Sequence, residues 1–565
     1  MLLLRVVDTV REPKYDLMRQ KPSRLFSYRL TLTFVCAILS GIPCFAQVVT
    51  AQYNNARTGV NPYETVLTPR NVRARHFGKL FSLKVDGQVF AQPLYLPQVR
   101  IPHKGVHNVL FVVTENDMAY AFDADHYSQR PLWQTSFIQP ERGVTTVPAD
   151  DAQCPLLGPE IGITSTPVID QTTGTIYLVV RTMEKDAASH RSYSQVVHAL
   201  NVHTGAEQFA DPALVQASVD RKTSSGPARV EFNPLRQNQR SALLLSRGRV
   251  YVAWASSCDV GDYHGWLMVF DSQTMKMLGT FNTSPDGYQG GIWQSDEGPA
   301  ADLQGNVFVS TGNGDFNAAS GGRDFGDSVL KLLFREQIVS VRDYFTPFNE
   351  RELNESDKDL GSGGPVLLPP QPGTHPHLLI VAGKGDTLYV LDRDHMGHFE
   401  KGNNSHAVQT IRVAPGGAFG SVAYWNEHVF VVFNEDPLKD FELRNGRLSE
   451  KPVAQSTVVF HYPGATPTVS ANGSTDGIVW AVASRGWETY ERPAVLHAFD
   501  AANVRREIYT SEQNSDRDRA GPAVRFTVPM VANGHVYVGT KTEIDVYGLL
   551  PSRQKKAVRA SRRTD

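Results

Sequence analysis

The sequence predicts an all-β protein, a single eight-bladed β-propeller of four-stranded antiparallel blades whose last blade is closed by an N-terminal strand. Two repeated patterns and one absence predict it. A strand that opens near Pro or Gly, turns at Gly or Asn and continues as an alternating apolar strand recurs along the chain. A second strand ends at Asp or Asn and runs straight into a turn. No stretch reads as a long amphipathic helix.

The first pattern occurs eight times. It begins with AQPLYLPQV at Ala91, TSTPVIDQTTGTIYLVV at Thr164, ALLLSRGRVYVAWA at Ala242 and GPAADLQGNVFVST at Gly298. It continues with GPVLLPP at Gly364, GSVAYWNEHVFVVF at Gly420, TPTVSANGSTDGIVWAVA at Thr466 and VPMVANGHVYVGT at Val528. The second pattern appears as YAFDAD (Tyr120), HALNVHTGAE (His198), MVFDSQTMKM (Met268), YVLDRDHMGH (Tyr389) and HAFDAANVRR (His497). There an Asp or Asn side chain bonds its own backbone to start the turn. VLKLLFREQ (Val329) and DFELRNGRL (Asp440) fill the two long gaps in degenerate form. Units repeating at this spacing imply a propeller. Two smaller rings or a seven-bladed ring are the competing arrangements. The last unit ends at Tyr547 without an outer strand, and KLFSLKV at Lys79 is expected to supply it, because an open sheet edge invites aggregation.

Around this ring, residues 1–46 read as a secretory signal. Arg24 and Arg29 precede the apolar run LTLTFVCAILSG and a small residue, Ala46, at a plausible cut. The run is shorter than the roughly 20 residues of a spanning helix. Met18 would give a more ordinary start. Residues 47–77 form a lead-in segment, 78–550 the propeller, and 551–565 a basic tail expected to be disordered. The implied location is periplasmic or secreted. Cys154 and Cys258 are the two cysteines left after the signal, and an oxidising compartment would allow them to pair. Net charge is −2 over 565 residues, which gives no electrostatic case for nucleic acid.

One loop poses a chemical question. STGNGDFN, Ser310 to Asn317, follows the strand NVFV with two glycines, two amides and an acid, more than a turn requires. Its glycines would let the backbone approach a ligand or another loop. Asp296 and Glu297, just upstream, read as solvent-facing acids.

The lead-in YNNARTGVNPYETVLTPRNV (Tyr53–Val72) and the LWQ at Leu132 resemble the quinoprotein dehydrogenase-like propellers, whose repeats are named for pyrroloquinoline quinone (PQQ), and the stretches VDGQVFAQPLY and EIGITSTPVID resemble, more closely still, a set of bacterial secreted PQQ-repeat-like proteins mostly unassigned in function. The LWQ resembles the family's tryptophan docking motif. Other units carry Phe209, Phe281 or Tyr509 in its place. The resemblance implies a funnel holding a planar anionic quinone and a hard cation with oxygen ligands. GGIWQSDEGPAADLQGNVFVSTGNGDFN (Gly290–Asn317) resembles the stretch with the stacking Trp and a calcium-ligating Asn, here Trp293 and Asn313. SSCDVGDYHGWLMVFD (Ser256–Asp271) resembles the stretch with an acidic calcium ligand and a basic PQQ contact, here Asp259 and His264. GKGDTLYVLDRD (Gly383–Asp394) matches a basic quinone contact with Lys384.

The chain departs from that pattern where the family has its catalytic Asp. In DYFTPFNERELNESDKDLGSGG, the matching position is Asn349, which cannot accept a proton. Asp357 and Asp359 stand nearby as candidate bases. No adjacent-cysteine pair and no haem motif occur, so electrons would leave through a separate acceptor. The expected function is therefore an exported binding propeller holding a small-molecule ligand or glycan in its funnel. The alternative is a PQQ- and Ca²⁺-dependent dehydrogenase of alcohols or sugars.

Overall fold

The computed structural model describes residues 47–551 apart from 129, 224–225, 296 and 414–415, so the signal and the basic tail lie outside the described residues. The chain forms an eight-bladed propeller with mainly four-stranded antiparallel blades. The eight innermost strands, in blade order, are Leu94–Ile101, Val168–Asp170, Leu244–Ser246, Ala300–Ala301, Val366–Leu367, Ala423–Trp425, Thr468–Asn472 and Met530–Ala532. Each lies in one of the eight repeats read from sequence. The two degenerate segments at Val329 and Asp440 are the third strands of blades four and six, Val329–Arg335 and Asp436–Arg444.

Phe77–Lys84 pairs antiparallel with Glu543–Leu549, from Phe77 opposite Leu549 to Lys84 opposite Glu543. This is the closure the Lys79 segment implied, and it gives the last blade its fourth, outer strand. Phe77 is fully buried and meets Tyr509 edge-on at 4.9 Å and Trp480 at 5.6 Å. Closure therefore buries an aromatic cluster between blades seven and eight. Trp133, in the outer strand of blade one, donates its indole N–H to Val202 O of blade two at 2.9 Å. A Cβ on Gly205 would sit 2.5 Å from that indole, so the His-Thr-Gly turn of blade two is the platform on which it docks.

The lead-in segment has a role its sequence did not disclose. Between Val48 and Asn61 it runs around the inside of the ring and bonds the innermost strand of every blade in order. Tyr95 and Ile169 of blades one and two donate backbone N–H groups to Val48 and Val49 carbonyls, each at 2.8 Å. Asn55 bonds Leu245 of blade three through its side chain (2.8 Å) and Ala301 of blade four through its carbonyl (2.7 Å). Ala56, Thr58 and Gly59 accept from Leu367, Tyr424 and Val469 of blades five to seven, each at 2.8 Å. Asn61 donates to Val531 O of blade eight at 2.9 Å. Inner strand edges would otherwise leave polar backbone unpaired. Arg57, fully buried, anchors the circle by donating to Pro299 O, Thr50 Oγ1, Ala51 O and Leu243 O.

Among the described residues, helix is confined to short pieces. Asn349 begins one of them, Glu350–Glu355, as its N-terminal flanking residue. Glu297 is buried, contrary to the solvent-facing expectation, because it turns inward beneath Gly364, where an added Cβ would meet its carboxyl at 2.7 Å. Asp296 lies outside the described residues.

Candidate functional site

A cavity of about 550 Å³ opens in the ring, within the usual range for small-molecule sites. Its wall is built from two positions in the blades. One is the segment just before an inner strand, which supplies Trp293 (blade four) and Asp357 and Asp359 (blade five). The other is the loop after the second strand, which supplies Asp259 (blade three) and Lys384 (blade five). Five of the seven candidate residues thus share one wall, although 125 positions separate Asp259 from Lys384 in the chain, as their numbers give.

Lys384 is the electrostatic centre. Its Nζ lies 2.8 Å from Asp357 Oδ1 and 2.6 Å from Asp359 Oδ2. Burial works against its charge, but the two carboxylates hold the ammonium protonated and raise it above its usual value. The two acids differ in setting. The Asp357 side chain is 73% exposed, whereas that of Asp359 is 6% exposed. Burial raises Asp359 above the ordinary carboxylate value, while Lys384 and the Asn313 N–H, at 2.7 Å, pull it back down. Asp327 lies behind it, accepting the Leu360 N–H at 2.9 Å. Burial, then the neighbouring Asp359, push Asp327 well above the ordinary carboxylate value.

Asn313 sits at the edge of this group. Its side-chain amide donates to Asp357 Oδ1 at 2.9 Å, and its own Oδ1 is buried with no hydrogen-bond donor. It contacts the acids rather than lining the cavity. The loop question raised by STGNGDFN resolves here. A Cβ on Gly312 would fall 2.1 Å from Asp359 Oδ1, and one on Gly314 would fall 2.4 Å from Gly290 N. The glycines admit the buried Asp359 and a neighbouring loop.

His264 does not join the group. It is 5% exposed, outside the cavity lining, with Nδ1 at 3.0 Å from Ser284 O. Burial lowers it to about 4, leaving a neutral imidazole near neutral pH. His264, expected as a basic quinone contact, therefore stands apart from the five candidate residues that line the cavity.

Sequence reasoning missed the rest of the wall. Phe90, Phe419, Tyr462 and Phe526 each stand just before an inner strand and project into the cavity, as do Arg240 and Arg525. The available signal was positional, since each comes within a few residues of the Pro- or Gly-marked strand start. Cys154 and Cys258 form a disulfide with a Cα–Cα distance of 5.3 Å, and both line the cavity. Cys258 and Asp259 are consecutive non-glycine residues with positive φ, 57° and 54°. The disulfide thus fixes a strained loop that presents Asp259.

Among the described residues, no three His, Cys, Asp or Glu side chains form a ready metal cluster. The oxygen donors at hand are Asp259, Asp359 and the unpaired Asn313 Oδ1.

No family model matches this chain, and no curated protein matches it significantly in sequence. Solved structures do match. A quinohemoprotein alcohol dehydrogenase from Comamonas testosteroni aligns at 12% identity and TM-score 0.56, over 89% of this chain and 80% of that one. The quinohemoprotein alcohol dehydrogenase ADHIIG from Pseudomonas putida HK5 aligns at 13% identity and TM-score 0.56, with the same coverages. BamB from Moraxella catarrhalis aligns at 12% identity and TM-score 0.46, over 84% of this chain and 99% of that one. The chain therefore has the β-propeller fold of the quinohemoprotein alcohol dehydrogenases.

Proposed function

We propose that this protein is an exported propeller that holds a small-molecule ligand in its axial funnel. The observation that carries the reading is the convergence of Asp259, Trp293, Asp359 and Lys384, from three blades, on one cavity of about 550 Å³. A wall with both charge signs and an indole can orient a polar ligand. Export is supported by the leader-like first 46 residues and by the disulfide, which suits an oxidising compartment. Val48 already bonds Tyr95, so a cut after Ala46 would leave the circling segment whole. Among the described residues, no helix is long and apolar enough to cross a membrane.

The test uses the exported chain and a panel of sugars, alcohols and organic acids in thermal-shift and calorimetric titrations. Ligands are expected to lose affinity in Trp293→Ala and Lys384→Met. Binding indifferent to both substitutions would place the site elsewhere.

A second reading is a PQQ- and Ca²⁺-dependent dehydrogenase, favoured by one observation. Asn313 Oδ1 is a buried oxygen without a donor, beside Asp359. The residues fit the group. Asp259 and Asn313 would hold the cation, Trp293 would support the quinone face, and Lys384 would stand at its edge. When bound, the pair supplies a two-electron acceptor for oxidising a hydroxyl. Asp359, raised by burial, is the better suited of the two candidate bases, because a base works best near the operating pH. Absorbance titration with PQQ, with and without Ca²⁺, decides. Saturable micromolar binding plus dye reduction that is lost in Asp359→Asn supports this reading. Absence of saturable binding removes it and leaves the first.

A further inference from the structure

Another part of the cavity wall has a different chemistry. Arg525, in the segment leading into blade eight, is 8% exposed and lines the cavity. Its side-chain partner is the Tyr462 hydroxyl, no ion pair with a carboxylate forms among the described residues, and its Nε is buried without an acceptor. It lies 4.6 Å from the Trp487 ring and 5.2 Å from the Phe526 ring. Arg240 lies 4.8 Å from the same Phe526 ring. Two guanidiniums thus flank one phenyl group at the edge of a cavity.

That arrangement is costly in isolation. Burial, then the like charge of Arg240, lowers Arg525 to about 10, partly offset by Tyr462 and Glu488. Phe526 also has φ +63°, a strained conformation for a bulky side chain. Strain of this kind persists only where surrounding structure imposes it, and it gathers at ligand sites. Phe419 lies 6.3 Å from Phe526 with the rings near parallel, extending an apolar floor.

We infer that this wall is an anion subsite, in which Arg525 receives the carboxylate or phosphate of an organic ligand whose flat or apolar body lies against Phe526 and Phe419. The inference rests on the funnel reading and narrows it to organic anions. A guanidinium fork matches either oxyanion in bidentate fashion, and a partly dry wall strengthens the contact. Lys384, 5.9 Å from the Phe419 ring, is already committed to Asp357 and Asp359. The buried cation with donors to spare is Arg525.

The test is calorimetric titration of the full exported chain with paired probes. Benzoate is compared with benzyl alcohol, glucuronate with glucose, and inorganic phosphate is run alone and as a competitor. The expected result is that an anion binds at least tenfold tighter than its neutral partner. Arg525→Met should remove at least tenfold of that affinity, and Arg525→Lys should restore part of it. Displacement of the anion by phosphate assigns a phosphate-bearing ligand, and indifference to phosphate assigns a carboxylate. Circular dichroism establishes folding of each variant, and if the Met variant does not fold, the loss of affinity in Arg525→Lys is the deciding measurement. Equal binding of anions and neutral partners, or anion binding unchanged in both variants, overturns the subsite. If neutral ligands bind and depend on Lys384 but not on Arg525, the funnel reading stands and the anion subsite falls. Absence of binding by every probe removes both.

Discussion

Lys384 Nζ lies 2.6 Å from Asp359 Oδ2, in a pair that is largely buried in the cavity wall. Each partner supports the other's charge, and together they set the acidic side of the funnel. Taking away only the lysine strands a carboxylate that burial already disfavours. Lys384→Met is expected to cost about 2–4 kcal/mol, less than for a fully dry pair because the lysine side chain is 20% exposed. Urea unfolding measures it. The double variant Lys384→Met, Asp359→Asn should recover most of the loss. No recovery would mean that lysine packing, not charge, holds the wall.

Stability should fall with rising pH through a second buried acid. Glu115 is fully buried, and burial pushes it up from 4.5 to about 7, with the Gly162 N–H and two arginines opposing. Its folded value exceeds its unfolded one, so folding favours the protonated form. That contribution is complete below about pH 4.5 and is lost as pH rises through about 7. Glu115→Gln should flatten the stability–pH curve by up to roughly 3 kcal/mol over this window. Asp117, buried beside it and shifted in the same direction, would leave a residual slope. An unchanged curve in the variant would show that Glu115 ionises normally in the folded protein.

The disulfide should be a principal stabiliser. It joins residues 104 apart in sequence and fixes the Asp259 loop. Removing a link across so long a loop typically costs about 2–5 kcal/mol, chiefly by freeing the unfolded chain. Cys258→Ser is expected to lower the thermal midpoint, and dithiothreitol should lower that of the wild type only. A variant whose midpoint already responds to dithiothreitol would point to a different pairing.

The circling segment makes Arg57 a structural keystone. Its guanidinium reaches acceptors in its own segment and in blades three and four. Arg57→Met would leave several buried acceptors unpaired, each costing about 1–3 kcal/mol. A loss of at least ~3 kcal/mol in urea unfolding is expected, or failure to accumulate folded protein. A loss below 1 kcal/mol would mean that the backbone bonds alone hold the circle.

The legibility of these features follows from distance along the chain. Blade number was readable because each blade is a local unit of hairpins, and its alternation and turns lie within one continuous stretch. Trp133 was recognised through the resemblance, and the Gly205 turn it docks on belongs to the next repeat. Trp293, Asn313, Asp259 and Lys384 were found through resemblance, and three of them line one cavity while Asn313 touches its acids. His264 lies outside the cavity lining, because spacing cannot show which way a loop side chain turns. It turns inward to Ser284.

Composition and periodicity by themselves determined the ring, its eight units and its closing strand, because strand alternation and turn chemistry are local. Only the tertiary structure decided which acid is buried, which histidine is neutral and which arginine lines the cavity without a carboxylate partner. Those properties depend on burial and on neighbours contributed by distant blades. The same holds for the lead-in segment. Its bonds to eight successive inner strands exist only once the ring has closed around it.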